Sequence, residues 1–388
     1  MLVLTHCERV GTVNALEDTP SEVSWASRAD FWLEESEPKT IRRRREREKH
    51  PLILTGHGLS LRVDKGCLLV RDGNTHYPAD RREWRFFKGA LDIPPAFIIL
   101  DGSGEITLDA MDWLATQDVP LIRLRWDGEF SSIVTSSGQA ASSELVRWQV
   151  DTRDDPAARV DFALKLIQKK ASNTAATMES HVPRSNIWDS AMYGIQRRIA
   201  LLEDIQPKSV IDVLGFEGGI AADYFRAWSA IRLKWKATKR YPIPKEWQQY
   251  TSRSAVRERQ HKNNRATHPV NAMLNYAYAV ITARTQVQLI ADGYDPRIGI
   301  LHDNKSRRGT YPAFALDHIE TIRPVVDRAI LELIDTKTFT GADFSVQDDG
   351  VCRLNPEFAR RVAQLSLKSF DIEVPGQILV TGVVGHAK

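Results

Sequence analysis

The sequence predicts a multidomain α+β protein, in which a small β-rich N-terminal domain precedes a larger all-α domain that carries the candidate catalytic residues. Its 388 residues exceed the usual size of a single compact core. From Pro51, short apolar runs such as LILTGHG and AFIILDGSG alternate with Gly and Asp, which is typical of strands joined by turns. From about residue 158, apolar residues recur three and four positions apart, which is typical of helices.

These patterns divide the chain into four segments. Residues 1–48 are predicted to form an N-terminal extension that ends within the basic run IRRRREREKH. Residues 49–130 form the β-rich domain, with one predicted helix over Leu108 to Thr116 and a turn at Lys65-Gly66. Residues 131–156 are predicted as a linker, because the run from Phe130 to Ser143 is polar and small and is typical of a strand end followed by a linker. Residues 157–388 form the helical domain.

One long helix is predicted inside the helical domain. The segment PVNAMLNYAYAVITARTQVQLIADG has Pro269 at its start and Gly293 just past its end, which is the usual asymmetry of helix termini. Its first half is apolar on nearly every face, so we expect the helix to be buried.

Composition and cysteine usage indicate a cytoplasmic protein with reduced thiols. Hydrophobic residues make up 42% of the chain and charged residues 27%, which excludes a disordered chain. The three cysteines, Cys7, Cys67 and Cys352, lack the paired spacing of zinc sites or disulfide frameworks. No run reaches the roughly 18 apolar residues of a membrane span, and the N-terminus lacks the order of a secretory signal.

Basic residues are concentrated in one segment, Arg232 to Arg265, which has a net charge of +9 in a chain of net charge +3. Cations with interleaved aromatic rings predict nucleic-acid binding, although a solvated surface is the alternative. The interleaved rings are Trp235, Tyr241, Trp247 and Tyr250. The candidate DNA-binding residues are Lys234, Lys236, Lys239, Arg240, Lys245, Arg253, Arg257, Arg259 and Arg265, with Lys305, Arg307 and Arg308 in a later loop.

Glu217 is the first candidate for chemistry, in the segment LGFEGGIAADYF. The two glycines that follow it, Gly218 and Gly219, each cost a helix roughly 1 kcal/mol relative to Ala. Close approach of a ligand or of a neighbouring helix would explain them. Taken alone, Glu217 is also compatible with a first-turn carboxylate that the helix dipole favours.

The other candidates lie in GYDPRIGILHDN and YPAFALDHIETIRPVVDR. His302 ends an apolar segment, where a histidine is more often a core or boundary residue. Asp317 and Glu320 are three residues apart on a helix that Pro312 can begin, so their carboxylates lie on one face and can share a cation. An exposed acidic face is the alternative. Pro324 should kink or restart the helix beyond them.

Together these side chains form a set of carboxylates and one imidazole, which suits Mg²⁺ or Mn²⁺ better than a thiolate-binding ion. Such an ion can polarise a phosphoryl oxygen and activate an attacking hydroxyl group. We therefore predict a metal-assisted reaction at a phosphodiester.

The quoted segments resemble the CRISPR-associated adaptation endonuclease and integrase family, Cas-one (Cas1), over about residues 51 to 335. LTGHGLSLRVDKGCLLVRDG is similar to the β domain of that family, LGFEGGIAADYF to its glutamate motif and PVNAMLNYAYAVI to its Asn-Ala-Leu-x-Tyr helix. GYDPRIGILH resembles its histidine motif, and ALDHIETIRPVVDR its carboxylate helix. The resemblance implies that Glu217, His302 and Glu320 are metal ligands and that Asp317 is the accompanying catalytic acid.

The resemblance also implies a reaction and partners. A short prespacer DNA would be inserted into a CRISPR array when its 3′-hydroxyl attacks a repeat-boundary phosphodiester. The protein would form a homodimer through the β-rich domain, and a Cas-two (Cas2) protein would bridge two dimers into a heterohexamer.

Three alternatives remain open at this stage. A structure-selective nuclease for branched DNA would use the same ion with water as the nucleophile. An integrase that stands alone, or that serves a mobile element, would keep the same site. In a non-catalytic DNA-binding scaffold, Glu217, His302 and Glu320 would be structural.

Overall fold

The structure is a computed structural model that describes residues 24–37, 46–77, 80–125, 130–134, 141–204, 207–253, 266–302 and 312–373. Within these ranges a β-sheet is followed by a mainly helical region. The predicted order of β-rich and helical structure is therefore confirmed.

The N-terminal sheet has six strands in the order β3-β2-β1-β4-β5-β6. β1 lies near the middle, antiparallel to β2 and parallel to β4. Lys65 and Gly66, both with positive φ, form the predicted turn between β1 and β2. The strands are β1 (Leu52–Asp64), β2 (Cys67–Arg71), β3 (Glu83–Phe86), β4 (Phe97–Ile106), β5 (Leu121–Leu124) and β6 (Phe130–Val134).

Helix α2 (Leu108–Thr116) connects β4 to β5 and has the predicted bounds. Its N-cap is Thr107, whose side chain accepts a hydrogen bond from the backbone of Ala110. Trp113 and Leu114 of α2 are buried in the core of the sheet. The helix prediction for this domain is confirmed.

Helices dominate the rest of the described chain. They are α1 (Trp25–Ser36), α3 (Ser143–Asp154), α4 (Pro156–His181), α5 (Asn186–Asp204), α6 (Val210–Ala227), α7 (Pro269–Ala291), α8 (Ala313–Ile319), α9 (Arg323–Thr336) and α10 (Pro356–Glu373). Two small sheets accompany them, formed by β7 (Lys234–Trp235) with β8 (Thr338–Phe339) and by β9 (Phe344–Val346) with β10 (Cys352–Leu354). The helical region is thus not purely α.

The predicted long helix is confirmed in α7, which begins at Pro269. His268 caps it, because its imidazole accepts a hydrogen bond from the backbone N–H of Val270 at 3.2 Å. Nearly every residue of its first half is buried, as the apolar sequence predicted.

The predicted linker and extension both contain regular structure that packs on the rest of the chain. Residues 131–156 include most of β6, which pairs with β5, and the whole of α3. Residues 1–48 include α1, whose Trp32 is fully buried and stacks on Phe358 of α10 at 4.3 Å between ring centroids. Arg28 of α1 pairs with the buried Asp343 at 2.6 Å. An extension that buries a tryptophan and an ion pair contributes to the helical core.

Arg360 of α10 joins the helical region to the sheet. Its guanidinium, 1% exposed, contacts the carbonyl oxygen of Ile53 in β1 and lies 2.5 Å from Asp72 and 2.8 Å from Glu357. Ile53 and Asp72 belong to the sheet region, whereas Glu357 belongs to α10 itself. This buried ion cluster therefore fixes α10 against the sheet.

Two of the three cysteines fall in the described residues. Cys67 and Cys352 are buried thiols outside any disulfide, whereas Cys7 lies outside the described residues. Among the helices that the structure describes, none is both long and apolar enough to cross a membrane.

Candidate active site

Glu217 lies two turns into α6, which Ser209 and Asp212 begin with a capping box. The first-turn interpretation of Glu217 is therefore wrong. Gly219 faces α5, and a Cβ atom there would overlap the guanidinium of Arg198. The contact at Gly219 is with a flexible side chain and not with the backbone of α5, and a Cβ at Gly218 would meet open space, so close approach of a neighbouring helix explains neither glycine.

Glu217 points towards α4. Its carboxylate accepts a hydrogen bond from the ammonium group of Lys170, and its side chain is 24% exposed. The carboxylate is thus held at the rim of the site, within reach of solvent.

The predicted carboxylate helix is two helices. α8 ends at Ile319, and α9 restarts at Arg323 with Pro324 in its first turn, as the proline predicted. Glu320 is the residue that ends α8. Asp317 is fully buried and Glu320 is 4% exposed, so the alternative of an exposed acidic face is wrong.

Asp317 binds the segment that carries His302. One of its oxygens accepts backbone N–H bonds from Ile300 at 2.7 Å and Leu301 at 3.0 Å. The other oxygen accepts the backbone N–H of His302 at 2.9 Å and lies 2.7 Å from its Nδ1. Because a carboxylate accepts, Nδ1 carries a proton, and in the neutral imidazole Nε2 is then the nitrogen with the lone pair. Asp317 therefore orients the imidazole and does not share a cation with Glu320.

Glu320 contacts two cations, one at each carboxylate oxygen. Oε2 accepts a hydrogen bond from Nζ of Lys170 at 2.6 Å, and Oε1 lies 2.7 Å from Nη1 of Arg323. Burial alone would raise the pKa of Glu320, but the charges of Arg323 and Lys170 outweigh burial and lower this pKa to about 2. Glu320 is therefore ionised at neutral pH.

Two of the three predicted ligands contact one cation, and the third lies beside one of them. The ammonium of Lys170 bridges Glu217 and Glu320, and Nε2 of His302 lies 3.9 Å from Oε1 of Glu320. No group of three His, Cys, Asp or Glu side chains in the described residues is arranged to hold a metal ion with its present side-chain positions. The donor set nevertheless fits Mg²⁺ or Mn²⁺, because a cation already bridges the two carboxylates and an imidazole lone pair lies beside them.

Sequence reasoning missed Lys170 and Arg323. Lys170 lies on the apolar stripe of α4, three and four residues after the buried Ile167 and Leu166. A lysine on a buried helix face requires an acidic partner, and that signal was present in the sequence. Arg323 lies three residues after Glu320, a spacing that brings the two side chains together around a helical turn.

The basic segment is only partly described. Lys236, Lys239 and Lys245 are exposed, and Lys234, also exposed, contacts Asp335. Arg240 is exposed and its guanidinium lies over Tyr241. The candidates outside the described residues are Arg257, Arg259, Arg265, Lys305, Arg307 and Arg308.

Two of the four interleaved aromatic residues are buried and cannot stack on bases. Trp247 is 4% exposed and Tyr250 is fully buried, so the prediction is wrong for both. Trp235 stacks on Trp247 at 6.0 Å between ring centroids, inside a cluster that includes Phe344. These rings anchor the segment to the core because their large apolar area favours burial over exposure.

Tyr278 of α7 links the basic segment to the acidic site. The guanidinium of Arg253 lies 5.4 Å from its ring centroid, and that of Arg323 lies 5.3 Å from it. Arg253 also donates to Asn275 of α7 at 2.9 Å. The Tyr278 ring therefore lies between Arg253, the last described residue of the basic segment, and Arg323, which contacts Glu320.

Two curated relatives are similar to this chain in sequence. A CRISPR-associated exonuclease Cas4/endonuclease Cas1 fusion from Geobacter sulfurreducens is 26% identical over 320 residues, covering 81% of this chain and 53% of the relative. A CRISPR-associated endonuclease Cas1 from Methanospirillum hungatei is 28% identical over 196 residues, covering 49% of this chain and 52% of the relative. The matches span about half the length of each of these relatives.

Solved structures are similar to it in fold. A casposase bound to integration product has a TM-score of 0.66 and 26% identity, covering 83% of each chain. A Cas6-RT-Cas1–Cas2 complex has a TM-score of 0.63 at 18% identity, covering 89% of this chain and 35% of the other. The family model described as CRISPR associated protein Cas1 matches residues 52–366. The chain therefore belongs to the Cas1 family.

Proposed function

We propose that this protein is a metal-dependent DNA endonuclease and integrase. It inserts a short prespacer DNA into a CRISPR array, and the 3′-hydroxyl of the prespacer attacks a phosphodiester at the repeat boundary. The observation that carries the proposal is the meeting of Glu217 and Glu320 on one cation, with an oriented His302 beside them. Family membership and the casposase bound to integration product support the same chemistry.

Glu217, Glu320 and Nε2 of His302 would hold Mg²⁺ or Mn²⁺. When bound, such an ion polarises a phosphoryl oxygen and favours deprotonation of the attacking hydroxyl group. The chain contributes a fixed geometry, because Glu217 comes from the middle of α6 and Glu320 from the turn between α8 and α9. Neither carboxylate depends on a long loop for its position.

Asp317 acts as a positioning residue in this proposal. Its contact with Nδ1 of His302 keeps the proton on that nitrogen, so that Nε2 faces the site as a lone pair. Arg323 holds one oxygen of Glu320, which fixes the plane of the carboxylate. Both residues restrict the ligands to one orientation before an ion or DNA arrives.

The basic segment would bind the DNA backbone. Lys236, Lys239 and Lys245 are exposed cations on a segment that the buried Trp247 anchors. Arg253, at the described end of the basic segment, contacts the Tyr278 ring, which Arg323 also contacts. A phosphate bound at Arg253 would therefore lie on the side of Arg323, which holds Glu320, through contacts that do not read base sequence.

The partners are part of the proposal. A homodimer would form through the sheet region, where the large apolar side chains of Tyr77, Phe87 and Leu108 are 91%, 58% and 78% exposed. A Cas2 protein that bridges two dimers is supported by the similarity in fold to a Cas1 chain found in a Cas6-RT-Cas1–Cas2 complex.

A strand-transfer assay tests the proposal. A labelled prespacer with a free 3′-hydroxyl is incubated with supercoiled repeat DNA and Mn²⁺, and label joined to the plasmid is measured. Glu217→Gln and His302→Ala should lower the rate at least about 100-fold, the order of loss when one group that stabilises transition-state charge is removed. Glu203→Gln, an exposed carboxylate on α5, is the matched control and should join at the wild-type rate. Wild-type rates in Glu217→Gln would refute the proposed site, and a wild-type protein that gives no joined product would favour a non-catalytic scaffold.

A structure-selective nuclease is the second candidate, because the same ligand set can activate water. A prespacer that ends in a dideoxynucleotide separates the two, since it has no attacking hydroxyl. The integrase loses the joined product with this substrate, whereas the nuclease cuts branched DNA at an unchanged rate. Repeat DNA from a CRISPR array compared with unrelated target DNA separates array insertion from a stand-alone or mobile-element integrase.

A further inference from the structure

Lys170 lies at the centre of the candidate site, although neither the sequence motifs nor the proposed ligand set includes it. Its ammonium donates to Oε1 of Glu217 and, at 2.6 Å, to Oε2 of Glu320. Its side chain is only 13% exposed. One nitrogen therefore contacts an oxygen from each of the two carboxylates that the proposed function assigns to the metal.

We propose that Lys170 is a placeholder cation, which occupies the ion position in the metal-free protein and must withdraw before a divalent ion binds. Lys170 then sets the metal affinity by competition. This inference rests on the proposed function, because it assumes that Glu217 and Glu320 are metal ligands.

The competition follows from the shared oxygens. Mg²⁺ binds oxygen ligands at about 2.0 to 2.1 Å, so an ion between the two carboxylates would lie where Nζ of Lys170 now lies. An ammonium group and a divalent ion at the same position would repel one another strongly in a poorly solvated site. The ammonium and the ion therefore cannot occupy the position together.

Arg323 does not compete with the ion for its position. It contacts the other oxygen of Glu320, Oε1, at 2.7 Å. An ion that replaces Lys170 would leave this contact in place, so Glu320 keeps its orientation while Lys170 moves. Lys170 is the cation that bridges both proposed ligands.

Withdrawal of Lys170 requires movement of its side chain only. Asn173, one turn further along α4, donates to the carbonyl oxygen of Thr321 at 2.7 Å and ties α4 to the turn that carries Glu320. The backbone is thus held, while the lysine side chain has a flexible four-carbon stem and a partly exposed path out. Withdrawal of Nζ towards solvent leaves the two carboxylates facing the empty position.

Mn²⁺ binding to the full chain without DNA tests the proposal, measured by calorimetry. Lys170→Met should bind Mn²⁺ about tenfold to 100-fold more tightly than wild type, because the ion no longer displaces hydrogen bonds between charged groups. Lys165→Met is the matched control on the same helix, since Lys165 pairs with the exposed Asp161, and it should bind like wild type. Equal or weaker binding by Lys170→Met overturns the placeholder role.

A second measurement uses the wild-type chain and so does not depend on the folding of a variant. Labelling by an amine-reactive reagent is quantified by peptide mass spectrometry with and without Mg²⁺. Labelling of Lys170 should rise severalfold with Mg²⁺, while that of Lys165 stays constant. Unchanged labelling of Lys170 overturns the proposal.

The strand-transfer assay distinguishes the two levels of failure. If wild type joins prespacers and Lys170→Met binds Mn²⁺ with wild-type affinity, only the placeholder role is refuted. If wild type neither binds Mn²⁺ nor joins DNA, the proposed function fails as well.

Discussion

Replacement of Asp317 by Asn should destabilise the protein, although the two side chains have nearly the same shape. The carboxylate is fully buried and accepts three backbone N–H bonds, from Ile300, Leu301 and His302, together with the ring contact of His302. Asparagine keeps one accepting oxygen and turns the other position into a donor. At least two bonds to a charged acceptor are then lost.

The size of the effect follows from those two bonds. Hydrogen bonds to charged groups contribute about 1.5 to 3 kcal/mol each, so Asp317→Asn should lower the free energy of unfolding by about 3 to 6 kcal/mol. Urea unfolding monitored by circular dichroism measures this change. Asp335→Asn is the control, because that side chain is 86% exposed and should change stability by less than about 0.5 kcal/mol.

The same variant tests the role of Asp317 at the site. Loss of the contact that orients His302 should weaken Mn²⁺ binding by about 10- to 100-fold. If Asp317→Asn unfolds within about 1 kcal/mol of wild type and binds Mn²⁺ as tightly, the assignment of Asp317 to positioning is refuted.

Three further predictions concern the core, the pH dependence and the DNA surface. Arg360→Met leaves the buried Asp72 with a weaker partner and should lower the free energy of unfolding, measured in urea, by about 3 to 5 kcal/mol. A decrease below about 1 kcal/mol would contradict the role of this ion pair in holding α10 against the sheet. Burial lowers the pKa of His268 to about 4, below the 6.5 of the unfolded chain, so its contribution is present above pH 6.5 and is lost as the pH falls towards 4. That contribution to the free energy of unfolding is about 3 kcal/mol. His268→Asn keeps a capping side chain, so its free energy of unfolding should depend less on pH in this window. An unchanged pH dependence would rule out His268 as its source. Replacing three exposed lysines by Gln should lower the salt dependence of DNA binding by about 2 to 3 in the slope of log K against log salt, and an unchanged slope would exclude them from the interface. The three are Lys236, Lys239 and Lys245.

Local sequence signals predicted the elements whose boundaries depend on local chemistry. α2 begins after a threonine cap, α7 begins at a proline, and α9 begins at Arg323 with Pro324 in its first turn, all positions where backbone hydrogen bonding decides the helix end. The candidate ligands could also be selected from the local sequence, since carboxylates and histidines beside apolar segments are unusual. Their convergence could not be calculated from spacing, because it depends on how α6, α8 and α4 pack.

Tertiary packing accounts for what the sequence did not predict. The run from Phe130 was predicted as a strand end followed by a linker. The strand end is present as β6, but the linker range also contains the whole of α3, which packs on α4, and no local pattern reported that packing. Trp247 and Tyr250 alternate with cations in the sequence, yet the core covers both rings. Lys170 was overlooked because its two partners are 47 and 150 residues away along the chain.

The most direct test of the account is the position of Mn²⁺ in crystals of the protein, located by anomalous scattering. We predict a single ion bonded to one oxygen each of Glu217 and Glu320 and to Nε2 of His302, with Nζ of Lys170 withdrawn. An ion bound elsewhere, or a lysine that still bridges the two carboxylates at saturating Mn²⁺, would contradict it.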